Sequence, residues 1–185
     1  MEVLDAIDRR HSYRGPYLDQ PVPHEDLVQI VEAGLKAPSG CNAQTTRFVI
    51  IDDGDLLRQI GELPSINNTA MRQAKAMIAC VIDREPGPVS AGLSFQIEDC
   101  SAAVENMLLA ITGLGYASVW MDGWLRATGS EDREVINRLL EVPEEKTVRV
   151  ILPVGVPKRE VRGPKKKPFH ERAWFNCYGC TGADG

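Results

Sequence analysis

The sequence predicts a one-domain protein that mixes helices and strands, and three observations support this. The chain has 185 residues, of which 43% are apolar and 25% are charged. A chain of this length can bury roughly 70% of its unfolded surface in one core. Stretches with helical spacing of apolar residues alternate with short β-branched runs. No repeat, linker or low-complexity segment divides the chain, so we expect a main domain over residues 1–164. Residues 165–185 are expected to be a C-terminal extension that is part of the same domain or docks on a partner subunit.

Helices are predicted where apolar residues recur every three or four positions. Leu27, Ile30 and Leu35 show this spacing, and Pro23 stands near the start of the same segment. The longest helical segment is apolar nearly all round. A helix of this length spans about 30 Å, so it forms either the centre of the core or a seam between two subunits. We predict helices over residues 2–9, 23–36, 56–61 and 95–114.

Strands are predicted from short apolar runs that turn residues delimit. The run from Phe48 to Ile51 is β-branched and is followed by Asp52, Asp53 and Gly54. Such a run is typical of a strand that is buried on both faces. We predict strands over residues 47–51, 76–83, 119–121 and 148–156.

Charge and hydropathy exclude several classes of protein. The net charge is −5 and the pI is near 5.3, which argues against nucleic acid as the main partner. Acidic residues at positions 2, 5 and 8 argue against a signal peptide. The uncharged stretch 106–121 contains two glycines and is shorter than the about 18 apolar residues of a membrane span. We therefore expect a cytoplasmic protein.

The five cysteines cannot all pair within one chain, which favours a reducing compartment over a disulfide framework. Cys41, Cys80 and Cys100 are expected to act as small apolar residues. Cys177 and Cys180 form a C-x-x-C motif, which is half of a tetrahedral metal site, but no second half accompanies it. The motif indicates either a metal or redox function or a loose tail.

Residues 9–14 read Arg-Arg-His-Ser-Tyr-Arg, a concentrated array of hydrogen-bond donors. Arginine side chains bind anionic oxygens bidentately and stay charged, so this array suits a phosphate. The alternative is a solvated helix end, where cations meet the helix dipole favourably. A second basic cluster, over residues 158–167, is either part of such a site or a solubilising or nucleic-acid patch.

Residues 37–44 read Ala-Pro-Ser-Gly-Cys-Asn-Ala-Gln and form a polar turn between a predicted helix and a predicted strand. Backbone groups and amide side chains in such a turn can bind a flat ligand that forms hydrogen bonds. The alternative is an ordinary turn at the end of a helix.

These two segments resemble motifs of the nitroreductase family, and further matches extend over most of the chain. The pattern from Asp99 through Asn106 to Gly115, followed by Trp120, is similar to the family's long helix and the strand after it. Leu140-x-Val142-Pro143 and residues 153–157 (Pro-Val-Gly-Val-Pro) are similar to its C-terminal part. The resemblance implies an α+β fold with helices around a central mixed β-sheet, a long apolar central helix and an intertwined homodimer. It also implies FMN as cofactor and NADPH or NADH as electron donor.

The resemblance assigns binding roles to individual residues. The flavin phosphate would be held by Arg10, His11, Ser12 and Arg14, joined by Lys165, Lys166 or Lys167 from the C-terminal end. One edge of the flavin ring would meet the neighbouring subunit's turn, through Pro38, Ser39, Gly40 and Asn42, with Gln44 supporting that turn. The segment Met121, Asp122 and Gly123 would face flavin N5 with a backbone N–H. Asn68 would meet the pyrimidine edge, or else be a turn asparagine.

The implied activity is a ping-pong reaction in which flavin N5 takes hydride from NAD(P)H and an electron-poor acceptor, such as a nitroaromatic or a quinone, follows. The flavin carries this chemistry, so no catalytic side chain and no metal are expected. The family often has Pro-Trp after its motif glutamine, whereas Thr45 and Thr46 follow Gln44 here, which leaves the acceptor open. Residues 61–75 are short, which predicts an open pocket. Two alternatives remain: a dehalogenase or flavin-modifying relative of the same fold, and a flavin-binding module in which Cys177 and Cys180 sense redox state or metal.

Overall fold

A three-stranded antiparallel sheet forms the centre of the protein, as seen in a computed structural model that describes residues 2–127 and 131–180. Its strands are β1 (Arg47–Ile51), β2 (Ala76–Asp83) and β3 (Lys146–Val154), in the order β1-β2-β3. Strand β2 is central and buried along almost its whole length, as its continuous apolar sequence requires. A register shift between Cys80 and Val81 marks a bulge.

Two of the predicted strands differ from the expectation. Strand β1 lies at an edge, and Phe48, Val49 and Ile50 are only half-buried, so the prediction that both its faces are buried was wrong for the single chain. The strand predicted over 119–121 is reduced to isolated bridges, including that of Met121 with Ile151. Within the described ranges, the three strands pair antiparallel, and parallel pairing is limited to the Ser12–Ser118 bridge, which lies outside these strands.

Seven α-helices surround the sheet in the described part of the chain. They are α1 (Val3–Arg9), α2 (His24–Leu35), α3 (Gly54–Gly61), α4 (Thr69–Arg72), α5 (Gln96–Gly113), α6 (Gly123–Arg126) and α7 (Asp132–Leu139). The predicted helices correspond to α1, α2, α3 and α5. Helix α3 begins two residues before its predicted start because the Asp53 carboxylate caps it, accepting from the N–H groups of Asp55 and Leu56. Short 3₁₀ turns lie at Gly40–Asn42 and Phe169–Glu171.

Apolar clusters cover both faces of the sheet. Helices α2 and α5 pack on one face, where Ile30, Val104 and Met107 are fully buried. Helices α3, α4, α6 and α7 cover the other face, through residues such as Ile60, Leu125 and Ile136. Because α5 packs against both the sheet and α2, it forms the core of this chain, as its apolar composition predicted.

The cysteines divide into three groups. Cys80 and Cys100 are buried in the core, as predicted. Cys41 is exposed, so its expected role as a small apolar residue was wrong. The structure joins Cys177 and Cys180 in a disulfide. A disulfide was not expected there, but this one closes only a short local loop and cross-links no other element.

The C-terminal extension lies along the surface. Residues 165–172 are exposed. Aromatic side chains of the extension pair with one another, Phe169 with Phe175 and Trp174 with Tyr178. Residues 181–185 of the predicted extension lie outside the described residues. Over the described ranges, no helix combines the length and apolarity that crossing a membrane requires.

Candidate functional site

The first part of the site is the extended segment that follows α1. The N–H of Tyr13 donates to the carbonyl of Ser118 at 2.8 Å, and Ser12 forms a parallel bridge with Ser118. Side chains alternate along an extended chain, so the buried Tyr13 points inward while Ser12 and Arg14 are exposed. This pairing places Ser12 and Arg14 beside the segment that leads to Met121.

Two further predicted phosphate residues flank this segment. Arg10 Nε lies 3.4 Å from Glu105 Oε1 on α5, and the Arg10 side chain is 22% exposed. His11 lines a cavity of about 380 Å³ between α1 and residues 157–163. Its Nδ1 lies 3.0 Å from the carbonyl of Arg9, while its Nε2 is buried and lacks a partner among the described residues. The structure therefore separates His11 from the exposed side chains of Ser12 and Arg14.

The C-terminal chain crosses the same N-terminal segment. Lys158 N–H donates to the carbonyl of Pro16 at 3.0 Å. Gly163 passes so close to His11 that an added Cβ would lie 3.0 Å from the histidine Cβ. The exposed side chains of Lys165, Lys166 and Lys167 follow within four residues, and Lys167 Nζ lies 3.7 Å from Glu171. The two basic clusters are thus neighbours in space, although they lie at opposite ends of the sequence.

The polar turn over residues 38–44, here termed loop 38–44, has an unusual backbone. Cys41, Asn42 and Gln44 have φ angles of 50°, 57° and 50°. Such left-handed conformations cost free energy in residues other than glycine and concentrate at functional sites. The loop is internally braced because Ser39 Oγ accepts from the N–H of Gln44 at 3.1 Å.

Helix α5 anchors loop 38–44 through Asp99. Asp99 Oδ1 accepts from the N–H of Gly40 at 2.8 Å, and Oδ2 accepts from the hydroxyl of Thr45 at 3.0 Å. In the sequence, Asp99 is only the first residue of the motif that resembles the family's long helix, and no binding role was expected for it. The sequence does contain one indication of this contact, an acidic residue in an otherwise apolar helix, because a buried carboxylate requires hydrogen-bond partners.

The third part of the site is the segment from Met121 to Gly123. Met121 exchanges both backbone hydrogen bonds with Ile151, at 3.1 and 2.9 Å, which fixes the segment on β3. The N–H groups of Asp122 and Gly123 have no acceptor among residues 2–127 and 131–180. The space beside Gly123 is open, because an added Cβ would meet no atom within 4 Å. The segment thus combines an accessible backbone at Gly123 with two N–H groups that lack an acceptor in the described part of the chain.

Charged and polar side chains contact the segment from Met121 to Gly123. The Asp122 carboxylate accepts from Arg126 at 3.4 Å and from Arg149 at 3.3 Å. Asn68 caps α4 by accepting from the N–H of Ala70 at 2.9 Å, which is the behaviour of a turn asparagine. Its Nδ2 lies 3.7 Å from Met121 Sδ, so the structure also brings Asn68 beside the Met121 segment.

The structure thus brings Ser12, Arg14, Asn68 and residues 121–123 to one edge of the candidate site and leaves loop 38–44 separate. Ser12, Ser118 and Met121 belong to adjoining backbone segments. Among the described residues, side-chain hydrogen bonds connect loop 38–44 to Asp99 on α5 and to Arg47 on β1, and not to that edge. Exposed cations and N–H groups without acceptors suit an anionic ligand.

Comparison with known proteins gives a consistent result. The model of the nitroreductase family matches residues 7–156 of this chain. A protein of Archaeoglobus fulgidus, provisionally named as an NADH dehydrogenase/NAD(P)H nitroreductase, is 31% identical over 170 residues, which cover 92% of this chain and 90% of the relative. The iodotyrosine deiodinase of Thermotoga neapolitana is 29% identical over 84% of this chain and 88% of its own length.

A solved structure confirms the fold. The FMN-dependent nitroreductase of Clostridium difficile R20291 superimposes with a TM-score of 0.79 at 25% sequence identity. The match covers 95% of this chain and 99% of that one. The predicted α+β architecture is therefore confirmed.

Proposed function

The chain belongs to the nitroreductase family, and from this premise we propose that it is an FMN-dependent NAD(P)H oxidoreductase that acts as a homodimer. The names of its relatives, which include NAD(P)H nitroreductases and an FMN-dependent nitroreductase, support the activity and the cofactor. The observation that carries the proposal is the pair of free N–H groups at Asp122 and Gly123, which lie on the same edge as the basic N-terminal segment.

The residues of this edge fit FMN by their chemistry. Arg10, Ser12 and Arg14 would hold the phosphate, because guanidinium groups bind phosphate oxygens bidentately and a hydroxyl donates one further hydrogen bond. The lysines at 165–167 would approach the same phosphate, since Gly163 already crosses the N-terminal segment at His11. His11 itself would support this crossing, or would turn towards the phosphate through its unpaired Nε2.

When bound, FMN supplies the redox chemistry by taking a hydride from the nicotinamide at N5 and passing its electrons to a second substrate. One backbone N–H of the segment Met121, Asp122 and Gly123 would donate to N5, which orients the ring without any titrating side chain. The two arginines that contact the Asp122 carboxylate keep this backbone in place. Asn68, beside Met121, would meet the pyrimidine edge.

A second copy of the chain completes the site in this proposal. Pro38, Ser39, Gly40 and Asn42 would line the other edge of the ring from the neighbouring subunit, with Gln44 bracing their loop. Exposed apolar side chains on α1 support such an assembly: Val3, Leu4 and Ile7 are 63%, 71% and 48% exposed. A partner that covers this face would remove apolar surface from water.

We propose an electron-poor acceptor, such as a nitroaromatic or a quinone, reduced in a ping-pong cycle in the cytoplasm. Loop 38–44 is followed by Thr45 and Thr46, and the hydroxyl of Thr45 donates a hydrogen bond to Asp99. Threonines therefore stand where the family often has a tryptophan after this loop, which favours a broad acceptor range. Reductive dehalogenation is the second candidate, because a relative that covers most of the chain is named iodotyrosine deiodinase.

The test starts from the absorbance spectrum of the purified protein. We expect a yellow protein with about one FMN per chain and the mass of a dimer by light scattering. Under anaerobic conditions, NADH or NADPH should bleach the flavin, and a nitroaromatic or quinone should restore its colour. A colourless protein that cannot be reconstituted with FMN would overturn the proposal. Turnover of a halogenated phenol with halide release, and no nitroaromatic reduction, would favour the second candidate.

A further inference from the structure

We propose that Asp99 is a positioning residue that holds loop 38–44 in the conformation required for flavin binding. This inference rests on the proposed function and adds a residue to which neither the relatives nor the sequence motifs assign a role. Asp99 is 6% exposed, and each of its two carboxylate oxygens accepts a hydrogen bond from loop 38–44 or the residue next to it. It does not touch the flavin in this proposal, and it acts through the loop.

The loop requires an external anchor because its own backbone is strained. Three of its residues, Cys41, Asn42 and Gln44, have positive φ angles, which free L residues rarely adopt. Strain of this kind persists only where the surroundings enforce it. Besides hydrogen bonds within the loop, the Arg47 guanidinium donates to the carbonyl of Gln44. The two hydrogen bonds to Asp99 differ from this contact because they hold both sides of the strained residues, at Gly40 and at Thr45.

Helix α5 is a rigid support for this anchor. Asp99 lies in the first turn of α5, where the helix dipole favours a negative charge. The N–H of Asp99 is hydrogen-bonded to the carbonyl of Phe95, and the Phe95 ring packs directly against Gly40. The loop is therefore held by hydrogen bonds to Asp99 and by contact with Phe95, both of which belong to one end of the same helix.

The anchor has a consequence for flavin binding. If loop 38–44 exchanges between the strained conformation and relaxed ones, the apparent dissociation constant equals the intrinsic constant divided by the fraction in the competent state. Asp99→Ala leaves the N–H of Gly40 and the hydroxyl of Thr45 without acceptors, so this fraction should fall. Asp99→Asn has the same shape: its carbonyl accepts from Gly40, and its amide donates to Thr45 Oγ. The asparagine variant should therefore restore the loop.

The experiment measures loop order and FMN affinity in the same set of full-length variants: Asp99→Ala, Asp99→Asn, Thr45→Val and Ser101→Ala. Ser101 is the matched control, because it lies on α5 and its hydroxyl donates to its own helix at Ile97. Hydrogen exchange of the FMN-free protein is followed by mass spectrometry on the peptide that covers Gly40. FMN affinity is followed by quenching of flavin fluorescence.

We expect Asp99→Ala to speed exchange in the loop peptide at least tenfold and to weaken FMN binding about tenfold, with Thr45→Val intermediate. Asp99→Asn and Ser101→Ala should resemble the wild type in both measurements. Equal loop exchange in Asp99→Ala and wild type would overturn the proposal, and so would faster exchange spread evenly over all peptides. If Asp99→Ala does not fold, the comparison of Thr45→Val with Ser101→Ala decides in the same way. Failure of the wild type to bind FMN would refute the proposed function, while the exchange data would still test the anchor.

Discussion

The guanidinium of Arg10 lies 3.4 Å from the carboxylate of Glu105, which joins the end of α1 to the middle of α5. The Glu105 side chain is half-exposed, so this ion pair contributes little to stability. Its effect is geometric, because it draws Arg10 towards α5 while Arg9 remains exposed. Two adjacent arginines therefore have different environments, which makes them a matched pair for mutation.

We predict that Arg10→Ala weakens FMN binding about tenfold or more. A charge-assisted hydrogen bond to phosphate contributes about 1.5–3 kcal/mol, which corresponds to this change in dissociation constant. Riboflavin lacks the phosphate, so its affinity should be unchanged, and saturating FMN should restore turnover. Fluorescence titrations with both flavins measure the effect.

Arg9→Ala is the control for this prediction and should bind FMN like the wild type. The companion variant replaces Lys165, Lys166 and Lys167 with Ala and should also weaken FMN binding. If Arg10→Ala and the triple lysine variant both retain wild-type affinity, the phosphate site lies elsewhere.

A second prediction concerns Gly40, where the loop packs against Phe95. A Cβ at position 40 would overlap the Phe95 ring, so Gly40→Ala must displace either the loop or the ring. We expect a loss of FMN affinity of about tenfold with a folded, dimeric protein. Gly54→Ala is the control, since a Cβ there meets no atom within 4 Å. Unchanged flavin content in Gly40→Ala would show that the position of this loop does not matter for binding.

A third prediction uses the ion pair between Arg84 and Glu134. Arg84 donates two hydrogen bonds to the Glu134 carboxylate, at 3.0 and 2.6 Å, and these lower the pKa of Glu134 to about 2. A pKa lowered by folding stabilises the protein above the unfolded value of about 4.3 and loses this effect as the pH falls towards 2. Both side chains are about one third exposed or more, so solvent screening limits the contribution to about 1 kcal/mol.

Glu134→Gln should therefore lower the free energy of unfolding by about 1 kcal/mol at pH 7, with a shrinking difference from wild type as the pH falls below 4. Urea denaturation of the two proteins at a series of pH values measures this. Glu85→Gln is a suitable control, because Glu85 is exposed and forms no ion pair within the described residues. A pH-independent difference would indicate that the loss comes from packing and not from charge.

Local sequence patterns predicted the elements that carry strong periodicity. Strands β1 and β2 have their predicted bounds because turn residues delimit both apolar runs. Helix α7 was missed although Ile136 anchors it in the core. Its length does not explain this, because α3 also has eight residues with three apolar positions at the same spacing and was predicted. Helices α4 and α6, with four residues each, carry even less signal.

In the candidate site, the sequence motifs identified residues but could not show which of them lie close together. Motifs identified Arg10, Gly40 and Gly123 as candidates, but they could not show that the two termini cross at His11 and Gly163. This crossing depends on long-range backbone pairing between residues 16–18 and 156–158. The sequence also could not identify the partners of Asp99, because Gly40 and Thr45 lie more than 50 residues away from it in the sequence.

The last prediction separates the reductase from a redox or metal sensor. Cys177 and Cys180 form a disulfide in the C-terminal extension, in a turn closed by the hydrogen bond from Cys180 N–H to the carbonyl of Cys177. If the protein is a flavin reductase, its chemistry requires no thiol, and replacing both residues with Ser should leave FMN content and turnover within about twofold of wild type. Trp174, which packs against Tyr178 beside this turn, provides a fluorescence signal that should respond to reduction of the disulfide in the wild type only. A tenfold loss of turnover in the double variant, or one zinc ion per native chain, would instead support the sensor.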